Sequence, residues 1–169
     1  MKWKKYGAAA MCLLLTVISF TGCANSKDNA KTQESKEGYY FETGAEKIYT
    51  NSEVEPLVEK LGAPTGGTYE AVSCAFEGKD TFYYYDGFTL QAYEKNGKKY
   101  VYTINLEDDT VKTAEGIKIG DSLSMMAAKY GLEYTVTGNA YMYTKDKMTL
   151  TFIVENDKIS AITYALITN

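Results

Sequence analysis

Ala114-Glu115-Gly116-Ile117-Lys118-Ile119-Gly120-Asp121-Ser122-Leu123-Ser124-Met125-Met126-Ala127-Ala128-Lys129-Tyr130-Gly131 decides the fold, because its frame occurs twice. Shifted back by 69 residues, the frame reads Ala45-Glu46-Lys47-Ile48, then Val54, Leu57, Val58 and Leu61, and closes on Gly62. The set Val54/Leu57/Val58/Leu61 falls on Leu123/Met126/Ala127/Tyr130, both spaced i, i+3, i+4, i+7. That spacing predicts a short amphipathic helix with one apolar stripe, and its recurrence predicts a duplicated unit. Ser52-Glu53-Val54-Glu55 fits an S-x-x-E capping box, with Pro56 still in the first turn. Asp121 or Ser122 can cap the second helix, and Gly131 ends it.

Downstream of each helix the pattern turns to alternation. Val72, Cys74 and Phe76 are apolar at even positions; residues 81–85 precede Asp86-Gly87, residues 88–93 precede Asn96-Gly97, and Tyr100, Tyr102, Ile104 and Leu106 follow. Asp-Gly and Asn-Gly are two-residue hairpin signals, so the reading is a four-stranded antiparallel meander with even positions inward. A shift of 60 carries Tyr83 to Tyr143, Asp86 to Asp146, Leu90 to Leu150, Asn96 to Asn156 and Leu106 to Leu166. This shift is nine smaller than the helix shift, which places a nine-residue insertion in the first copy near 65–74. The expected class is α+β: a tandem repeat of a short helical segment packed on a four-stranded antiparallel meander sheet. The copies span 43–109 and 110–169.

Ile119-Gly120-Asp121-Ser122 through Gly131, and Leu61-Gly62-Ala63-Pro64, carry a resemblance. The order of turn, cap, short helix, Gly-x-Pro and antiparallel strands resembles the β-lactamase-inhibitor-protein-like fold and is similar to the small outer-membrane-assembly lipoproteins. The resemblance covers about residues 45–166. It departs from the pattern at Asn51, which replaces a glycine, and at Leu132-Glu133, where no proline follows Gly131. The resemblance implies a helix-on-sheet fold whose polar sheet face binds protein. No enzyme-blocking residue of the inhibitor matches a position here.

The amino terminus supplies an address. Lys2, Lys4 and Lys5 precede an apolar run over 8–20, shorter than the roughly 20 residues that a membrane span needs. Phe20-Thr21-Gly22-Cys23 then resembles the lipobox of bacterial lipoproteins, which implies a signal peptide over 1–22 and lipidation of Cys23 on the extracytoplasmic face of a cell membrane. Residues 25–38 hold no apolar side chain larger than Ala, so 23–42 is read as a flexible tether of reach about 20 Å.

Composition excludes several classes. Of 18 basic residues three lie in 1–22, which holds no acidic residue, so the remainder carries 15 against 22 acidic residues, a net −7. An acidic domain is a poor partner for nucleic acid. The chain has no histidine, which removes the commonest general base and zinc ligand. Cys12 leaves with the signal and Cys23 carries lipid, so Cys74 is left without a disulfide partner and is read as an inward, inert thiol. Glu53/Glu55 is explained by helix capping and Glu107/Asp108/Asp109 by a solvated linker. No catalytic residue, metal site or cofactor is expected.

The open sheet face, read from odd positions, gives the binding candidates Tyr83, Tyr85, Tyr93, Tyr141 and Tyr143, with Gln91, Thr149 and Thr151. Tyrosine offers rigid, half-polar contact at low entropic cost. The expected function is an extracytoplasmic, lipid-anchored protein that recognises a protein or peptide partner. Cell-wall or carbohydrate binding is the alternative, and a carboxylate-dependent hydrolase comes third.

Overall fold

The computed structural model describes residues 38–168. The expected signal peptide, Cys23 and the expected tether up to residue 37 lie outside the described residues. The chain runs through β1 (Phe41–Thr43), β2 (Glu46–Ile48), α1 (Val54–Leu61), β3 (Thr68–Val72), β4 (Lys79–Tyr85), β5 (Phe88–Lys95) and β6 (Lys98–Leu106). It continues through α2 (Leu123–Tyr130), β7 (Thr135–Thr137), β8 (Ala140–Lys145), β9 (Met148–Glu155) and β10 (Lys158–Leu166).

The α+β tandem of helix-on-four-strand units is not what forms. Among the described residues 48% are strand and 12% helix, and the fold is mostly β. Eight strands make one antiparallel sheet in the order β3-β4-β5-β6-β10-β9-β8-β7. β6 and β10 pair directly, Leu106 with Ile162 and Ile104 with Tyr164, so no boundary between two sheets exists at residue 109. The two helices have eight residues each, too short to build a layer of their own. They serve as patches on one face of a large sheet.

That face holds the core. Tyr83, Leu90, Ile104, Tyr164, Leu150 and Tyr143 form a continuous row of cross-strand partners through β4, β5, β6, β10, β9 and β8. All six are buried. Val54 and Leu57 of α1 and Met126 of α2 press onto the same face, with Val58, Leu61, Leu123 and Tyr130 at the margins. The helical stripe read from the sequence is thus the contact stripe. Between the helices the β1–β2 hairpin sends Phe41 to Phe88 (4.9 Å between ring centroids) and Tyr164 (6.5 Å). Phe41 is fully buried, so this residue, expected near the end of a flexible tether, belongs to the core.

Capping corrects one expectation and specifies another. Glu53, not Ser52, stands at the N-cap of α1 and makes no side-chain cap bond; its carboxylate accepts from Lys98 Nζ at 2.8 Å. Ser122 caps α2, its Oγ accepting from the Met125 amide at 3.2 Å. Asn51 takes φ +61°, a left-handed conformation that Asn tolerates better than most residues. The missing glycine there is therefore replaced by the next best residue.

Parity is where the sequence reading fails locally. A two-residue turn pairs an odd residue with an even one, as in Tyr85↔Phe88. Between β5 and β6 the swap is undone by a bulge: Gln91 pairs with Thr103 but Ala92 with Val101, leaving Tyr102 extra. β9 and β10 do the same, leaving Ser160 extra. No bulge separates β4 from β5, or β8 from β9, so the inward residues of β4 and β8 are odd. Tyr83 and Tyr143, expected on the open face, are therefore core residues, and Tyr84, expected inward, is exposed.

Candidate binding face

The face away from the helices is built from the alternate positions of the same strands. Cross-strand partners place Tyr84, Thr89, Asn105, Thr163, Thr151 and Met142 in one row, and Phe82, Gln91, Thr103, Ala165, Thr149 and Thr144 in the next. The centre is polar and small: Thr89 and Thr103 are buried, and Gln91, Asn105, Thr149, Thr151 and Thr163 are half-buried. Tyr69 and Tyr84 stand exposed at the β3–β4 end, with Phe82 6.2 Å from Tyr69 and near-parallel to Tyr84. The face is a recessed polar floor with an aromatic margin.

Side-chain hydrogen bonds knit the floor. Thr103 Oγ1 donates to Gln91 Oε1 at 3.2 Å, and Gln91 Nε2 donates to Asp80 Oδ2 at 2.9 Å. Thr163 Oγ1 donates to Asn105 Oδ1 at 3.0 Å across the β6–β10 seam. Asp80 is only 5% exposed, and its Oδ1 has no hydrogen-bond partner among the described residues.

β3 and β4 are joined by residues 73–78, whereas β7 and β8 turn on Gly138-Asn139. The longer loop folds Phe76 onto the open face, stacked on Tyr93 at 4.0 Å with 12° between the planes, and edge-on to Tyr102 at 4.9 Å. Ser73 Oγ accepts from the Ala75 and Phe76 amides at 3.3 and 3.0 Å, which shapes the loop. Cys74 rides on it exposed, not inward as its parity suggested.

The eight candidate residues divide in two. Gln91, Tyr93, Thr149 and Thr151 share the open face; Tyr83, Tyr85, Tyr141 and Tyr143 belong to the helix face. The tyrosines of the second group tie the helices to the sheet. Tyr143 Oη donates to the Gly131 carbonyl at 2.8 Å and Tyr85 Oη to the Gly62 carbonyl at 3.1 Å, each an acceptor just past a helix end. Burial pushes the Tyr143 hydroxyl up to about 12, with Tyr134 and Tyr39 adding to it. Burial raises Tyr83, Tyr85 and Tyr93 as well. Tyr69, Phe76, Phe82, Tyr84, Tyr102 and Asp80 were missed as face residues. The signal for the β4 members was the Asp86-Gly87 turn itself, which fixes β4 parity once β5 parity is known.

Among the described residues no group of three or more His, Cys, Asp or Glu side chains could hold a metal ion, and no helix is long and apolar enough to cross a membrane. Glu107, Asp108 and Asp109 are exposed, with Asp108 held below the usual carboxylate range by the Thr110 side chain and amide.

No family model matches the chain, and no curated protein does. Among solved structures, the chain is similar to an extracellular protein containing an SCP domain from Bacillus anthracis str. Ames, at 12% identity and a TM-score of 0.42. The match covers 73% of this chain and 48% of that protein, so the chain spans about half the length of the structure it matches.

Proposed function

We propose that this is a lipid-anchored, extracytoplasmic binding protein that takes an extended protein or peptide segment across the open face of its sheet. The observation that carries the reading is the sheet face that the described residues leave open. Helices and hairpin cover one side of the sheet, while the other keeps a recessed Thr/Gln/Asn floor beside the exposed rings of Tyr69 and Tyr84. Exposed aromatic side chains grouped beside polar ones mark interaction surfaces. Small hydroxyl and amide side chains suit hydrogen bonding to an incoming backbone, and large ring faces suit its side chains. The lipobox sequence ending at Cys23 supports the anchor and the side of the membrane.

The test compares photo-crosslinkers placed at Tyr84 and Thr151 on the open face with one at Glu59, exposed on α1. On intact cells one and the same protein should be captured from the first two positions and not from the third. Capture from Glu59 alone overturns the reading. Retention on cell-wall fragments that is lost with Tyr69→Ala and Tyr84→Ala would instead support carbohydrate binding. Metabolic labelling with a fatty acid should mark the wild type and not Cys23→Ser.

A further inference from the structure

Thr103, Gln91 and Asp80 form a hydrogen-bonded chain that crosses three strands and ends on an oxygen with nothing to bond. Thr103 donates to Gln91, and Gln91 spends its amide N–H on Asp80 Oδ2, so Gln91 is oriented and Asp80 is held in place. Asp80 Oδ1 is left buried without a hydrogen bond, and no ion pair to Asp80 occurs among the described residues. A buried carboxylate oxygen without a partner costs more than a hydrogen bond returns, and a fold keeps one where something else completes it. Lys79, the neighbour of Asp80 in sequence, and Lys99 on β6 both bond Glu70, at 3.2 Å each.

Directly opposite Asp80 on the neighbouring strand stands Tyr93. Its ring face is covered by Phe76, which Tyr102 flanks edge-on. Phe76 arrives on the 73–78 loop, where Ser73 Oγ accepts from the Ala75 and Phe76 amides and the Ser73 amide donates to the Gly78 carbonyl at 3.1 Å, closing the base. A flat group thus lies parallel to the ring of a tyrosine that stands opposite an unsatisfied carboxylate, and the chain supplies that flat group from a loop.

We infer that this place is an arginine-binding subsite: a guanidinium from the partner segment displaces Phe76, stacks on Tyr93 and donates to Asp80 Oδ1. A guanidinium is planar, stacks on aromatic rings and carries several N–H donors in its plane, so it meets both demands at once. An ammonium meets only the charge. The net −7 of the chain beyond residue 22 favours a basic segment over an acidic one. Phe76 keeps the pocket dry when no partner is bound and competes with the guanidinium for Tyr93. The subsite rests on the proposed reading of the open face.

The experiment uses a capped heptapeptide of alternating threonine and arginine, and its twin with citrulline, the neutral isostere, for every arginine. Binding to the purified protein is measured by calorimetry, and hydrogen exchange across β5 and β6 reports whether the open face is the site. The arginine peptide should bind about tenfold more tightly than the citrulline peptide, a difference typical of one charge-assisted contact. Asp80→Asn, which keeps shape and the Gln91 contact, should bring the two peptides to equal affinity without lowering the melting temperature. Phe76→Ala should tighten the arginine peptide several-fold. Equal binding of both peptides to the wild type, with protection on β5 and β6, overturns the subsite and leaves the open-face reading standing. Absence of binding to the wild type and to Phe76→Ala overturns the subsite, and protection confined to the helix face overturns both.

Discussion

Truncating Tyr143 and Tyr84 separately decides whether the sheet faces the way its hydrogen-bond register requires. Tyr143 is 2% exposed, lies 5.3 Å from Tyr130 and 6.1 Å from Phe152 between ring centroids, and bonds the Gly131 carbonyl. Replacing it by Ala removes roughly 150 Å² of buried apolar surface, worth about 4 kcal/mol at 25 cal/mol per Å². The lost hydroxyl bond adds about 1 kcal/mol at most, because Gly131 is exposed and water can replace the donor. Tyr84 is 38% exposed and its ring lies beside Phe82, so Tyr84→Ala should cost less than about 1 kcal/mol. Urea denaturation followed by far-ultraviolet circular dichroism gives both values, with the slope unchanged if only stability moves. Should Tyr143→Ala leave too little folded protein to measure, Tyr143→Phe isolates the hydroxyl at about 1 kcal/mol or less. Alternation read with even positions inward expects the reverse order. A larger loss at Tyr84 than at Tyr143 would falsify the assignment of faces.

Three further outcomes follow from local geometry. Gly87 and Gly97 both have positive φ in two-residue turns, but a Cβ on Gly87 would meet Thr110 Oγ1 at 2.7 Å and Val111 Cγ1 at 2.8 Å, while one on Gly97 meets nothing. Gly97→Ala should therefore cost about 1 kcal/mol, from the left-handed conformation, and Gly87→Ala measurably more; equal losses in urea melts would show that the 108–111 loop yields freely. Ser122→Ala should cost about 1 kcal/mol by removing the acceptor for the Met125 amide, and Ser122→Asp should restore most of it, both read by thermal melting. Tyr143, Tyr130 and Tyr164 all ionise less readily folded than unfolded, chiefly through burial. The unfolded chain loses those protons first, near pH 10, so stability is complete below about pH 10 and falls as pH rises through 12. The last of the tyrosinate absorbance, that of the buried rings, should appear together with loss of the circular-dichroism signal, and ionisation of every tyrosine in a still-folded protein would contradict it.

Much of the fold was legible because its signals are local. The i, i+3, i+4, i+7 stripe of Val54/Leu57/Val58/Leu61 needs only a helix to make sense, and the helix is there. Asn96-Gly97 and Asn156-Asp157 turn their hairpins with positive φ at both residues, as two-residue turns demand. What local signals could not give is the pairing of β6 with β10, a contact between strands more than fifty residues apart. It converts two expected sheets into one, and it leaves two-turn helices as a minor part of the whole. Register is the second loss. The run Phe82-Tyr83-Tyr84-Tyr85 is aromatic on both faces, so alternation has no contrast there, and only the turn geometry tells inside from outside.

The candidate site suffered from that same lack of contrast. On β5 and β9, where threonine and glutamine alternate with Leu90 and Leu150, Gln91, Thr149 and Thr151 were placed on the correct face. On β4 tyrosine occupies positions of both kinds, on β8 Tyr141 and Tyr143 both turn to the helix face, and the half-polar character of the residue gives no vote on either strand. Tyr143 uses its ring in the core and its hydroxyl at a helix end, while Tyr84 leaves both to solvent. Asp80 escaped for a related reason: Glu77-Gly78-Lys79-Asp80 reads as a polar turn, yet the loop ends at Gly78 and Asp80 already sits in the ladder opposite Tyr93. Asp80 is a charged residue buried inside a strand, and burial makes it costly unless something meets it. The sequence could have raised that conflict had the Asp86-Gly87 turn been used to count β4 backwards, since six residues from the turn an even position must share the face of Gln91.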